Sequence, residues 1–339
     1  MQKILAIFSL FLIFILACSG SSDKESIKQG ETNTKMEINS SNSIDENSIK
    51  IINYTKYETS DLEEWVNLAA SKMKSREARI LLFIYPVGEI KRPEQSVRSD
   101  YADSVFMKHE VLLTQKEIDI ILKGIEEWFA GDSCLDSKDI KMHLNDYRAW
   151  LEQGADASTM HGVCEKTRVV AMGVTKNMRE REPLTEFQNF LIHEFYHAFQ
   201  QDLNNEGKCR ERSDLKNSNT IWMVEGGAHY FATFLVSEIN KDKNDVYSDI
   251  LKIALETYER EGANLVEASP DKSGAAALRL MVERGMLSEE SILDGSFFHS
   301  CQRELKFDST SADMKHIRNS WYLIEKNGDI FKFKDLALK

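Results

Sequence analysis

The segment PLTEFQNFLIHEFYHAFQQDL, residues 183–203, constrains the fold of this chain more than any other. Its apolar residues recur at helical spacing and cover most of the circumference of the helix that they predict. They are Phe187, Phe190, Leu191, Ile192, Phe195 and Phe199. A helix that is apolar on most sides has to be buried among other elements. The fold must therefore surround this helix and provide partners for its polar side chains, because an unpartnered buried polar group costs about 1 to 3 kcal/mol.

The polar residues of this helix form the pattern H-E-x-x-H, with His193, Glu194 and His197. Residues four apart lie on one face of a helix, so two imidazoles can converge on one ion at a Zn–N distance of about 2.0 Å. Glu194 points to the neighbouring side, where it can reach a water on the metal and act as a general base. The alternative is a pair of core histidines that are hydrogen-bonded to the backbone.

A second apolar helical segment, WMVEGGAHYFATFLVSEI, offers a third ligand in Glu225. Catalytic zinc has three protein ligands and one open position. Glu225 could instead be a carboxylate that the dipole favours at the start of a helix. His229 follows four residues later, and three roles are open to it: a hydrogen-bonding partner of a zinc ligand, a replacement for Glu225, or the fourth ligand of a structural site.

The motifs HEFYH and W-x-x-E-G-x-A-x-Y together resemble the gluzincin branch of zinc metallopeptidases, over about Thr167 to Ala232. The resemblance implies a zincin-like α+β fold, in which a small mixed sheet and an active-site helix precede a mainly helical C-terminal subdomain. It implies one Zn²⁺ ion held by His193, His197 and Glu225, with Glu194 as the general base. The implied activity is hydrolysis of peptide bonds in a peptide or protein substrate, and an endopeptidase is favoured because the G-x-M-E-N motif of the aminopeptidases is absent.

The chain also departs from the pattern of these families. The stretch between the two motifs is longer than in thermolysin-like enzymes and aminopeptidases, which indicates an inserted loop carrying Cys209. His229 stands where thermolysin-like enzymes have an aspartate that orients a zinc histidine.

Two further parts of the predicted site rest on weaker patterns. A second donor to the oxyanion is expected, with Tyr258 and Tyr247 as candidates that no spacing separates. The predicted strand at 167–174 is expected to be the sheet edge that pairs with an extended substrate.

A different class of function is also open: a surface lipoprotein with a structural zinc site, acting as a binding or adhesion module. Glu194 counts against this alternative, because a structural site needs no general base and usually has a fourth protein ligand.

The N-terminus reads as a targeting signal. Lys3 precedes an apolar stretch, Ile4 to Leu16, that is too short to span a bilayer comfortably. The following ILAC resembles the lipobox of bacterial lipoproteins, which implies a lipid on Cys18 and a place in the bacterial cell envelope. Ser19 is permissive for the outer membrane in that reading. The alternative is an ordinary signal peptide with a chance cysteine.

The chain divides into four predicted parts. Residues 1–17 are the signal peptide, and 18–50 form a flexible tether of mainly Ser, Asn, Lys and Glu. Residues 51–203 form an α+β subdomain that ends in the H-E-x-x-H helix, and 204–339 form the helical subdomain. The formal net charge of -12, with no basic run, argues against a nucleic-acid partner. Contact with a membrane is expected only through the lipid anchor.

Beyond Cys18, the remaining cysteines in an exported chain predict two disulfides, and the spacing leaves three pairings open. These cysteines are Cys134, Cys164, Cys209 and Cys301. The favoured pairing joins Cys134 to Cys164 and Cys209 to Cys301, because each bond would then staple one subdomain or loop.

Local patterns predict further elements. Capping boxes are expected at Ser60 with Glu63, at Thr114 with Glu117, and at Thr185 with Gln188. A strand is predicted at 79–87, helices follow one another after 220, and the tail from Asn327 is expected to be irregular.

Overall fold

A mixed sheet forms the centre of the fold. The computed structural model describes residues 48–74, 79–91, 96–98, 105–164, 167–206, 221–242, 245–299 and 311–339. Four strands lie in the order β1 (Ile49–Asn53), β2 (Arg79–Ile90), β7 (Thr167–Val174) and β6 (Ser158–Cys164). The strands β1, β2 and β7 are parallel, whereas β6 is antiparallel to β7. The protein is therefore of mixed α+β class.

The other N-terminal elements connect and cover these strands. They are α1 (Thr59–Lys72), β3 (Ser96–Arg98), β4 (Val105–Met107), β5 (His109–Val111), α2 (Gln115–Phe129), α3 (Ser137–Gln153) and α4 (Lys176–Glu180). The strand β5 pairs with the end of β2, and β3 pairs with β4.

The C-terminal half is mainly helical. It contains α5 (Leu184–Glu206), α6 (Ile221–Ile239), α7 (Val246–Glu261), α8 (Pro270–Glu283), α9 (Glu289–Leu293), a 3₁₀ turn (Ser296–His299), α10 (Ala312–Ser320), β8 (Ile324–Asn327), β9 (Ile330–Phe333) and α11 (Asp335–Leu338). In the described part of the chain no helix has the length and apolar character to cross a membrane.

The sheet separates two apolar cores, because successive side chains of a strand point to opposite faces. On β2, Ile80, Leu82 and Ile84 belong to the core that includes α1, α5 and the C-terminal helices. Leu81 and Phe83 belong to the core under α2 and α3. Strands that are buried on both faces read as continuous apolar runs, as β2 and β7 do.

The helix α5 lies within the first core, as its apolar circumference predicts. Its residues Leu191, Ile192 and Phe195 are fully buried. Residues on both sides of position 203 contribute to this core, from Leu62 to Ala337. The sheet and the C-terminal helices therefore share one apolar interior.

The predictions of capping boxes were right in one case. Thr114 and Glu117 cap α2 reciprocally. The predicted box at Ser60 was wrong, because α1 already begins at Thr59 after the N-cap Glu58.

The box predicted at Thr185 with Gln188 was also wrong, because α5 begins at Leu184, directly after Pro183. The fixed φ angle of proline suits the start of a helix, so Thr185 lies inside the first turn.

Two other predictions about elements need correction. The strand at 167–174 has the predicted bounds, but it is internal to the sheet, between β2 and β6. In the described chain β6 pairs with β7 alone and forms the edge. The tail from Asn327 is regular, because β8 and β9 form a hairpin that α11 follows.

The structure joins Cys134 to Cys164 in a disulfide, as the favoured pairing expects. Cys18, Cys209 and Cys301 lie outside the described residues, so the second predicted disulfide and the lipidation site do too.

The turn before the edge strand β6 is held to β4 and β5 by the side chain of Asp156. The Asp156 carboxylate accepts a hydrogen bond from the backbone N–H of Met107 at 2.7 Å. Its other oxygen lies 3.2 Å from His109 Nε2, while His109 Nδ1 lies 3.1 Å from the carbonyl oxygen of Gly88. Both ring nitrogens face acceptors, so the charged imidazole is the form that can donate twice.

The contacts of His109 with Asp156 and Gly88 predict that the stability of the protein depends on pH. Burial by itself lowers the pKa of His109, but Asp156 and the Gly88 carbonyl raise it above the usual value. The stabilisation by His109 is therefore complete below about pH 6.5, the pKa of an unfolded histidine, and is lost as the pH rises through the folded pKa. We expect His109→Gln to lower the free energy of unfolding by about 1–3 kcal/mol at acidic pH and by less at alkaline pH.

Urea unfolding of both proteins across this pH range measures the difference between them. Asp156→Asn in the His109→Gln background serves as the control, and it should add little further pH dependence. If the difference in the free energy of unfolding between the two proteins is constant with pH, or grows as the pH rises, a charged His109 held by Asp156 is contradicted.

Candidate metal centre

Two helices bring together the three residues that the sequence singled out. His193 and His197 lie one turn apart on α5, and Glu225 lies in the second turn of α6. All three side chains are buried. The helices pack directly on each other, so residues that are distant in the chain share one small volume.

The three potential ligand atoms form a nearly equilateral triangle. His193 Nε2 lies 3.1 Å from His197 Nε2 and 3.2 Å from Glu225 Oε2. The third side, from His197 Nε2 to Glu225 Oε2, is 3.5 Å. Bonds of about 2.0–2.1 Å at tetrahedral angles separate zinc ligands by about 3.3 Å. Two imidazoles and a carboxylate at these distances fit one face of a zinc tetrahedron.

The charges at the site suit a cation. Burial opposes ionisation of Glu225, but the charge of His197 and hydrogen bonds from both histidines hold the pKa of Glu225 well below its usual value. Burial would lower the pKa of His197, yet Glu225 and Glu194 raise it to about 9. The ionised carboxylate therefore attracts positive charge to the triangle, which a proton or a divalent ion can provide.

Gln200 fixes the orientation of one imidazole. Its Oε1 lies 2.6 Å from His197 Nδ1, and its Nε2 donates to the carbonyl oxygen of Val224 at 2.8 Å. A proton on Nδ1 leaves the Nε2 lone pair free for an ion. Gln200 also ties α5 to α6 next to Glu225. Gln200 was not predicted from the sequence, although its position three after His197 places both on one helix face.

Glu194 contacts the edge strand. Ser158 Oγ donates to Glu194 Oε1 at 2.6 Å, and both residues are buried. Ser158 was not predicted from the sequence either, because a single serine in a strand carries no local signal for a contact with a helix elsewhere in the chain.

His229 lies beside the triangle but outside it. Its ring centroid is 6.5 Å from that of His193, and its Nε2 is buried without a hydrogen-bond partner. Burial lowers the pKa of His229 to about 4, so the ring is neutral. Among the described residues, only His193, His197 and Glu225 form a group with ligand atoms mutually within 4.8 Å at this place. In this geometry His229 neither replaces Glu225 nor provides a fourth ligand.

A contact between two glycines lies directly beside Glu225, because Gly226 is the next residue. The helices α6 and α8 cross at Gly226 and Gly274. A Cβ atom on Gly274 would lie 1.9 Å from the carbonyl oxygen of Trp222, and one on Gly226 would lie 2.3 Å from the carbonyl carbon of Gly274. Only residues without a side chain allow this approach of the two backbones.

The structure places both candidate tyrosines in other contacts. The Tyr258 ring stacks on Tyr322, with 4.4 Å between ring centroids. Tyr247 donates to Glu289 at 2.9 Å and lies under the Arg279 guanidinium. No described contact joins either tyrosine to the triangle, so the structure offers no support for them as oxyanion donors.

A second group of potential ligands is explained without a metal. Asp132, Cys134 and Cys164 lie close together, but the two sulfur atoms form the disulfide. Asp132 pairs with Arg79 at 3.1 Å and accepts a hydrogen bond from Thr167.

Comparisons with known proteins found no match that bears on this site. No protein-family model matches the chain, and neither the curated proteins nor the solved structures contain a match to it.

The role of Gln200 predicts a loss of metal affinity on substitution. We expect Gln200→Ala to weaken zinc binding about 10- to 100-fold, because His197 loses the partner that fixes its tautomer. Competition with a chromophoric chelator measures the affinity. The matched control is Gln188→Ala, since Gln188 is also buried on α5 and accepts a hydrogen bond from Asn240 at 2.8 Å. Equal affinities of the two variants would contradict the role of Gln200.

The glycine contact predicts a combined loss of stability and metal affinity. We expect Gly274→Ala to lower the free energy of unfolding by about 1–3 kcal/mol or more, because backbones must move apart, and to weaken zinc binding by displacing Glu225. Urea unfolding and zinc titration measure the two effects. Gly124→Ala on α2 is the control, since its added Cβ would meet only the flexible end of the Ile52 side chain at 2.9 Å. Unchanged zinc affinity in Gly274→Ala would show that the crossing does not position Glu225.

Proposed function

We propose that this protein is a zinc-dependent metallopeptidase that cleaves peptide bonds within extended segments of a peptide or protein substrate. The triangle of His193, His197 and Glu225 carries the proposal, because its sides of 3.1, 3.2 and 3.5 Å match a zinc tetrahedron. The resemblance of the motifs HEFYH and W-x-x-E-G-x-A-x-Y to those of gluzincins supports the same function and a zincin-like fold.

The residues at the centre have separate roles in this proposal. His193, His197 and Glu225 hold the ion, and Gln200 fixes the His197 imidazole. A Zn²⁺ ion held there would supply Lewis-acid chemistry, because it lowers the pKa of a water in its open position and polarises a carbonyl oxygen. Glu194 accepts the proton of the attacking water and returns it to the leaving amine nitrogen.

The edge of the sheet offers a place for the substrate. The strand β6 begins at Ser158, which contacts Glu194. An extended peptide that pairs with a free strand edge gains backbone hydrogen bonds along its length. The substrate edge is therefore β6 in this proposal, in place of the internal strand at 167–174.

The peptidase is favoured over a binding or adhesion module with a structural zinc site. A structural site is closed by four protein ligands. In the described part of the chain three ligand atoms converge here and His229 stays outside the group. The buried Glu194 beside the triangle fits a hydrolytic site better than a structural one.

The proposed location is the bacterial cell envelope. The apolar leader and the ILAC sequence support a lipid on Cys18, and the Cys134–Cys164 disulfide fits an exported chain.

Substitution of the general base tests the function. We expect Glu194→Gln to keep one zinc per chain and to lower kcat for casein or peptide cleavage by about 10²- to 10⁴-fold, because proton transfer is lost while the ligands remain. Metal analysis and a cleavage assay measure the two properties. The matched control is Glu186→Gln, since Glu186 is exposed in the first turn of the same helix.

The results separate the alternatives. Zinc in wild type and Glu194→Gln with no cleavage by either protein favours the structural site. Absence of zinc from the wild type contradicts both functions.

A further inference from the structure

Backbone contacts hold Ser158 in the sheet, independently of the contact of its side chain with α5. Ser158 pairs with Met172 in the sheet, and the carbonyl oxygen of Ala157 accepts the N–H of Gly173 at 2.6 Å. One residue earlier, Asp156 is clamped to Met107 and His109. The Ser158 side chain is therefore attached to a backbone that hydrogen bonds hold in place.

Strand alternation directs this hydroxyl toward α5. Ala157 and Val163 belong to the core under α2 and α3, while Met160 packs against the core that contains α5. Ser158 is on the same face as Met160, because side chains two residues apart point the same way. Its Oγ reaches Glu194 Oε1 at 2.6 Å.

We propose that Ser158 is a positioning residue for Glu194, holding one carboxylate oxygen against the edge strand so that the other faces the reacting water. This role rests on the proposed peptidase function and specifies how its general base is oriented. A carboxylate turns freely about its last side-chain bond unless one oxygen is held. A hydrogen bond to an ionised acceptor is about twice as strong as one between neutral groups.

Glu194 is itself a residue of α5 and follows His193 directly. Without the hydroxyl, the carboxylate could turn while the histidines remained in place. Loss of Ser158 should therefore separate two properties that a misfolded site would lose together: zinc binding is retained and proton transfer is slowed.

The first test compares Ser158→Ala and Ser158→Thr in steady-state kinetics with zinc-loaded protein. We expect Ser158→Ala to lower kcat by about 10- to 100-fold, the size of effect that misplacement of a reacting group produces, with KM and zinc content unchanged. Ser158→Thr keeps the hydroxyl and should recover most of kcat.

Ser248→Ala is the matched control for loss of a buried hydroxyl. Ser248 is a buried serine on α7 whose Oγ accepts a hydrogen bond from the backbone N–H of Phe331 at 2.8 Å. Its substitution should lower the urea midpoint and leave kcat at the wild-type value. A fall in kcat of the same size as in Ser158→Ala would overturn the positioning role.

The second test needs no cleavage assay. Urea unfolding of Ser158→Ala, Glu194→Ala and the double variant forms a cycle that reports direct coupling, because each single variant removes one partner of the hydrogen bond. We expect the midpoint shift of the double variant to be smaller than the sum of the two single shifts. Additive shifts would mean that the hydroxyl and the carboxylate do not interact, which overturns the inference.

The outcomes also distinguish this inference from the proposed function. An active wild type with unchanged kcat in Ser158→Ala overturns the positioning role alone. A wild type that binds zinc and cleaves no peptide overturns the peptidase assignment, and the positioning role with it.

Discussion

Burial of polar side chains on a helix that is apolar around its circumference is the constraint on which the rest of this structure depends. Leu191, Ile192 and Phe195 hold α5 inside the core, so His193, Glu194 and His197 cannot turn toward bulk water. Each unpartnered group would cost about 1 to 3 kcal/mol. The fold therefore brings other elements to these three residues, and the site is a consequence of where the helix has to lie.

The partners come from three different parts of the chain. Glu225 comes from α6, Ser158 from the edge strand, and Gln200 from the next turn of α5 itself. The approach of α6 depends in turn on α8, because Gly226 and Gly274 let the two backbones meet. A change far from the histidines can therefore alter the distance between the ligand atoms.

The sequence predicted the parts of this arrangement that depend on local periodicity. The bounds of β7 and the helical nature of α5 and α6 follow from apolar spacing. The pairing of the H-E-x-x-H helix with Glu225 was expected from the resemblance of the two motifs to those of gluzincins. Helix starts were less predictable. At α5 the proline before the helix, rather than Thr185, determined its first residue.

The position of the strand at 167–174 in the sheet was predicted wrongly. An apolar run such as 167–174 predicts burial on both faces, and a strand of that kind is more often internal than at an edge. That argument was available from the sequence, yet β6, with Gly162 and His161 among its residues, carried little strand signal. The contact of Ser158 with Glu194 follows from this unpredicted strand, so it could not be foreseen either. Gln200 is different, since its spacing from His197 was visible in the sequence.

The distribution of satisfied and unsatisfied atoms is consistent with the proposed reactive site. Glu194 Oε1 and His197 Nδ1 have short hydrogen bonds to Ser158 and Gln200. Glu225 Oε1 and His229 Nε2 are buried without a hydrogen-bond partner, and both lie on α6. A buried polar atom without a protein partner is a cost unless a water, an ion or a ligand pairs with it. At a site that receives a metal ion and a polar substrate, unpaired donors and acceptors on one wall provide binding capacity. In the proposed peptidase, the helix that supplies the carboxylate would also be the wall that meets the substrate.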